Sequence, residues 1–131
     1  MAGTVIADTV QAASTSQLVI KNGVASTPPT FQDSAGTAIG TLCRAWANYN
    51  GSTQTIKASF NVSSVTRNAA GDFTINFSTA MPDANFATQL SIDGGIRHIV
   101  IAQTTTSAQV YTYNTGGTLA DVTGVYVSIF R

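Results

Sequence analysis

Apolar and polar residues alternate most cleanly between Asp72 and Ser78, where Phe73, Ile75 and Phe77 interleave with Thr74, Asn76 and Ser78. Alternation with a period of two places one set on each face of a strand, so this segment predicts a strand with one face in a core. Further segments repeat the pattern at a spacing of about ten residues. They are Thr41 to Tyr49, Gln54 to Thr66, Asn85 to Ile92, Ile96 to Gln103, Ala108 to Tyr113 and Asp121 to Phe130. Turn-forming residues separate them: Asn50-Gly51, Asn68 to Gly71, Pro82-Asp83, Asp93-Gly94-Gly95, Thr104 to Thr106 and Asn114 to Gly117. About seven short strands with regular turns predict an all-β chain, an antiparallel, jelly-roll-like β-sandwich.

Two departures from simple alternation carry information. Ile56, Phe60 and Val62 share one phase and Val65 the other, so a bulge near Ser63-Ser64 is expected to restore the register. In the last strand Val125, Val127 and Ile129 share a face, yet Tyr126 and Phe130 occupy the opposite one. Tyr111 and Tyr113 repeat that feature one strand earlier. A second face this aromatic predicts a subunit interface through Tyr111, Tyr113, Tyr126 and Phe130.

Before residue 41 the pattern is different. Apolar residues are small and sparse, Pro28-Pro29 favours extended backbone, and Gln32 to Gly40 reads as a loop. Residues 4 to 12 read as a first strand, although Ala7, Val10 and Ala13 are also helix-spaced, and Leu18-Val19-Ile20-Lys21 is a short strand signal closing on Asn22-Gly23. Residues 1–40 therefore read as an extended N-terminal arm and residues 41–131 as the sandwich. A polar segment of this kind buries too little surface to fold alone. Its strands are expected to pair with sheet edges of a neighbouring copy, with Leu18 and Ile20 at the contact. The arm would then hold a trimer together or attach the protein to a larger particle.

Composition sharpens the picture. Only 9% of the 131 residues are charged, against about a quarter in an average domain. Glu is absent, six Lys and Arg balance six Asp, and polarity comes from Thr, Ser, Asn and Gln. The absence of a basic cluster argues against nucleic acid and anionic membrane as partners. No apolar run approaches the ~20 residues of a spanning helix, so no membrane insertion is expected. The N-terminus lacks the basic residues and apolar run of a secretion signal, and Cys43 is single. Synthesis in a cytoplasm is expected, with Cys43 as a small buried residue.

Candidate chemistry is thin. His98 is the only histidine and lacks a nucleophile signature, so a packed or interface role is expected of it. One His, one Cys and scattered Asp do not assemble a zinc site, and glycoside hydrolysis needs a pair of carboxylates that turn-borne aspartates do not suggest. No enzyme activity, metal or cofactor is expected. Weak sugar binding by an aromatic platform is the remaining candidate, through Trp46, Tyr49 and Tyr111, against the alternative that Trp46 fills the core and the tyrosines line an interface. Asn50-Gly51-Ser52, Asn61-Val62-Ser63 and Asn76-Phe77-Ser78 match the glycosylation sequon, as chance allows in a chain this rich in Asn and Ser.

Residues 41 to 86 also carry a resemblance. Ala45-Trp46-Ala47-Asn48-Tyr49-Asn50-Gly51, Ser59-Phe60-Asn61-Val62-Ser63-Ser64, Gly71-Asp72-Phe73-Thr74-Ile75-Asn76-Phe77 and Asp83-Ala84-Asn85-Phe86 follow one another in order. This series resembles a module of tail fibre and related virion proteins of marine and cyanobacterial tailed phages, with Ala47, Tyr49, Phe73 and Phe86 as conservative departures. The opening Ala7-Asp8-Thr9-Val10-Gln11 is similar to arms that begin many such modules. The resemblance implies a structural virion protein, a homotrimeric short tail fibre or fibre tip contacting the host surface, docked to other tail or capsid proteins by its arm. A glycan-binding adhesion module and a capsid decoration or head fibre are the alternatives it leaves open.

Overall fold

The structure, a computed structural model, describes residues 31–131. The expectations placed on Leu18, Ile20 and the rest of residues 1–30 lie outside the described residues. Ten strands follow in chain order: β1 Phe31–Gln32, β2 Ala38–Gly40, β3 Cys43–Asn50, β4 Thr55–Phe60, β5 Val62–Ala69, β6 Asp72–Phe77, β7 Ala87–Asp93, β8 Gly95–Thr104, β9 Ser107–Asn114 and β10 Gly124–Phe130. β1 and β2 form a small antiparallel hairpin where a loop was expected. Asp33 makes its turn by accepting the Ala35 and Thr37 N–H groups, each at 2.9 Å.

The other eight strands form two four-stranded antiparallel sheets, ordered β4-β3-β10-β7 and β5-β6-β9-β8. This is the expected β-sandwich. It is a jelly roll only in this two-sheet sense, because β3–β4, β5–β6 and β8–β9 are hairpins within a sheet. The chain crosses between sheets at β4–β5, β6–β7, β7–β8 and β9–β10.

The central strands hold the core. Ala45, Ala47 and Tyr49 of β3 and Val125, Val127 and Ile129 of β10 are buried in the first sheet. Phe73, Ile75 and Phe77 of β6 with Ala108 and Val110 of β9 are buried in the second. Every second residue is buried on these strands, which is the alternation that predicted them. Phe86 meets Phe77 edge-on at 5.7 Å, and Met81 is buried beside them in the β6–β7 connection. Thr112 is the one buried polar residue in the described core, and its Oγ1 donates to the Ala120 carbonyl at 2.7 Å.

The Gln54 to Thr66 segment is two strands, not one. A register shift between Val62 and Ser64 supplies the expected bulge. The larger event is at Asn61, where the chain leaves one sheet for the other. Asn61 takes a left-handed backbone (φ 54°), which Asn tolerates better than most residues. Its amide donates to the Arg44 and Thr79 carbonyls, both at 3.1 Å, and accepts the Thr79 N–H at 2.7 Å. The bulge thus brings both Val62 and Val65 against the core, and the sheet change at Asn61 separates them from the outward-facing Phe60.

The Gly116 to Thr123 loop closes an end of the sandwich. Asp121 accepts the Gly71 N–H and the Arg67 guanidinium, each at 2.8 Å, and the Val122 carbonyl accepts the Gly51 N–H at 2.9 Å. Residues 121–123 belong to this loop, so the last strand starts at Gly124 rather than near Asp121.

Candidate functional site

The outer faces of the two sheets differ in how their polar groups are engaged. On the second sheet they hold one another. Asn68 Nδ2 donates to Asp72 and Thr74, each at 2.9 Å, Asn76 Nδ2 donates to Ser64 and Thr66, each at 3.0 Å, and Gln109 Nε2 reaches Asp72 at 2.9 Å. This is a cross-strand ladder of amides and hydroxyls around the Asp72 carboxylate, and it leaves β5 and β6 with little to offer a ligand.

Toward β8 the same sheet becomes apolar. Ile99 stands opposite Tyr111 and Arg97 opposite Tyr113, with the Arg97 guanidinium 4.1 Å from the Tyr113 ring centre. Ile96 and Ile101 fall at register shifts, between Gly95 and Arg97 and between Val100 and Ala102, where β8 carries an extra residue. Ile96 is 60% exposed, and Ile99 and Ile101 are also exposed. Among the described residues β8 is an edge strand of ten residues, hydrogen-bonded on one side only. Natural edges are usually blunted by bulges or charges. Here the bulges are present, but isoleucines occupy them.

On the outer face of the first sheet Trp46 lies opposite Phe60 on one side and Ser128 on the other. Trp46 is 38% exposed and Phe60 is 56% exposed. One step along, Asn48 stands between Ala58 and Tyr126, and the Tyr126 hydroxyl donates to Asp93 at 2.8 Å. That bond to a carboxylate pushes the Tyr126 phenol above its ordinary range. Gly124 leaves the room: a Cβ there would sit 2.4 Å from an Asp93 carboxylate oxygen. At the Phe60 end of the face, where the Asn61 crossing meets the start of β3, lies a cleft of ≈ 480 Å³. Leu42, Cys43, Arg44, Phe60, Ser78 and Thr79 contribute to its walls.

These positions revise several expectations. Tyr49 is not a glycan contact: it is wholly buried, edge-on to Phe73 at 5.6 Å, because its phase on β3 faces the core. Trp46 has the opposite phase and faces outward, so it does not fill the core. Tyr111 and Tyr113 are half-buried on one outer face, while Tyr126 and Phe130 lie on the other, so the four do not make one surface. His98 is exposed on β8, so of its two expected roles, packed or at an interface, the packed one does not hold. Cys43 is half-buried in the cleft, its thiol donating to the Ala45 carbonyl at 3.3 Å.

The five described aspartates are tied into the fold. Asp33, Asp72, Asp93 and Asp121 hold the bonds given above, and Asp83 holds Arg131 and the Asn85 N–H. Among the described residues no three His, Cys, Asp or Glu side chains gather as a metal site. No helix of the described residues is long and apolar enough to cross a membrane. Leu42, Ile96, Ile99 and Ile101 are surface residues that the sequence pattern did not single out, and Phe60, expected in phase with Ile56 and Val62, faces outward because β4 shifts register between Ile56 and Ala58. The signal for Ile96, Ile99 and Ile101 was present in the run Ile96 to Ile101, which is apolar in both phases and so cannot bury all its side chains in one core. Comparison with protein-family models, with curated proteins and with solved structures found no match.

Proposed function

We propose that this chain is a non-catalytic structural subunit of a tailed-phage particle, a short homotrimeric fibre or fibre tip. One observation carries the assembly half of the reading. A domain with 9% charged residues leaves Ile96, Ile99 and Ile101 exposed along one edge, next to Tyr111 and Tyr113. Isolated apolar side chains on a surface are ordinary, but a run of them along one strand marks an interaction surface. The bulges at Ile96 and Ile101 interrupt the ladder that an added strand would need. The contact between copies is therefore made by side chains rather than by continuing the sheet. Tyr111 and Tyr113 belong to it, and Tyr126 and Phe130 do not.

The particle half of the reading rests on the resemblance of residues 41 to 86 to phage fibre modules. In it, residues 1–40 serve as the attachment arm toward other tail or capsid proteins. Light scattering on the purified full chain tests assembly, and a mass three times 13.6 kDa is expected. Ile99→Lys places an unpaired charge in the contact and should shift the chain to monomer. A wild-type chain that is monomeric at tens of micromolar refutes the assembly. Electron microscopy of particles labelled with an antibody to this chain tests the location, with label at the tail tip expected and label on the head correcting it.

A further inference from the structure

We infer that the outer face of the first sheet is a binding site for a neutral glycan chain, which starts in the cleft beside Phe60 and runs across Trp46. The inference goes beyond the assembly reading and uses a different face of the sandwich. Phe60 and Trp46 are direct cross-strand partners, so their side chains stand about 5 Å apart at the Cβ atoms on one surface. Small residues flank them: Ser128 lies opposite Trp46, and Ala58 is two positions from Phe60 on β4. Two exposed rings bounded by small side chains make a platform. Sugar rings present C–H bonds on one face and hydroxyls at the rim, and they match such a surface when hydrogen-bonding groups surround it.

Those groups are present: Ser78 and Thr79 contribute hydroxyls to the cleft. The second sheet contrasts with this, since its amides and hydroxyls are engaged in their own ladder.

Charge selects the ligand class. Among the described residues Arg44 is the one charged residue lining the cleft, a single cation set against Asp93 on the same face. Asp93, at the far side of the same face, repels acidic sugars. The surface is thus complementary to uncharged saccharides. A bare lipid chain or an apolar peptide would strip water from the Ser78 and Thr79 hydroxyls without replacing those hydrogen bonds. The cleft volume of ≈ 480 Å³ falls within the range of small-ligand sites, roughly 300–1,000 Å³, and leaves the rest of a chain to lie over the platform.

Trp46 is the only tryptophan in the chain, so its emission reports on this face alone. The full-length protein is titrated with neutral hexasaccharides of glucose, of mannose and of N-acetylglucosamine. A saturable change in emission is expected with at least one of them. Phe60→Ala should weaken it at least tenfold, as should Leu42→Asp at the cleft mouth. Calorimetry with Trp46→Ala, which has no tryptophan to observe, should show binding lost. Ile99→Lys, on the other face, should leave the affinity unchanged even where it abolishes assembly, so the two readings fail separately. No saturable response to any of the three sugars overturns the site, as does an affinity unchanged in both Phe60→Ala and Leu42→Asp. Binding of a dodecyl glycoside that is not competed by its free sugar also overturns it and makes the cleft an apolar dock.

Discussion

Tyr49→Phe should make this protein more stable, although it removes a polar group from the centre of β3. The residue has no exposed surface, and its hydroxyl has no hydrogen-bond partner among the described residues. A buried hydroxyl left unpaired costs about 1–3 kcal/mol relative to one in water. Phenylalanine keeps the ring and its edge-on contact with Phe73. It leaves a gap of roughly 20 Å³, and at about 24 cal/mol per Å³ this takes back about 0.5 kcal/mol. The net gain is about 0.5–2.5 kcal/mol, read as a higher urea midpoint with an unchanged slope at pH 7.

The same residue governs the alkaline limb. Burial pushes the Tyr49 phenol well above its ordinary value of 10.0, so phenolate forms readily only in the unfolded chain. The group's contribution is fully present below pH 10 and is lost as pH rises toward the folded value. For one proton the loss approaches ~1.4 kcal/mol per pH unit. Tyr49→Phe should remove that slope and leave the part due to Tyr126, whose phenol is raised by its bond to Asp93. A variant less stable than wild type at pH 7, or one with the wild-type alkaline slope, refutes the unpaired hydroxyl.

Other substitutions probe the corners and the ion pairs. Asn61→Ala loses three hydrogen bonds and strains the left-handed backbone at the sheet crossing, and should cost about 2–4 kcal/mol in urea unfolding. Asn61→Gly should recover only the backbone share, about 1 kcal/mol. Gly71→Ala should cost at least about 3 kcal/mol, since Gly71 has φ 69° and its Cβ would lie 2.5 Å from backbone atoms of Ala120 and Thr112. The hydrogen bond from Arg131, aided by the Asn85 N–H, holds the Asp83 carboxyl below its usual range. Its stabilisation is present above the ordinary carboxylate pKa and is lost as pH falls through the lowered one. Melting temperatures of Asp83→Asn and wild type should therefore differ at pH 7 and converge in acid.

Much of the architecture was legible because strands of a sandwich must alternate, and Phe73, Ile75 and Phe77 do so without exception. The count of strands was less legible, because a crossing at Asn61 and a bulge both read as a change of phase. The surface was least legible. Whether Trp46 or Tyr49 points into the core depends on the phase of β3, and both phases of that strand carry an aromatic residue. Ala45 and Ala47, in phase with Tyr49, are too small to mark the inner face by hydrophobicity. The candidate glycan face joins Phe60 to Trp46 by a register that local pattern does not encode, and it meets Ser78 and Thr79 only through the three-dimensional corner at Asn61.

The position of β10 has a consequence for how the molecule is made. It is the last strand, yet it lies between β3, the first strand of the sandwich, and β7. All four strands of the second sheet leave the ribosome before β10 does, so that sheet is free to pair early. The first sheet has to wait, with the β3–β4 hairpin and β7 each showing a hydrogen-bonding flank that only β10 fills. Pairing across such sequence distances slows folding, and the delay exposes these flanks to other chains. A nascent chain stalled before Gly124 would offer two such flanks to its neighbours, so yield in a host cell should depend on how quickly β10 arrives.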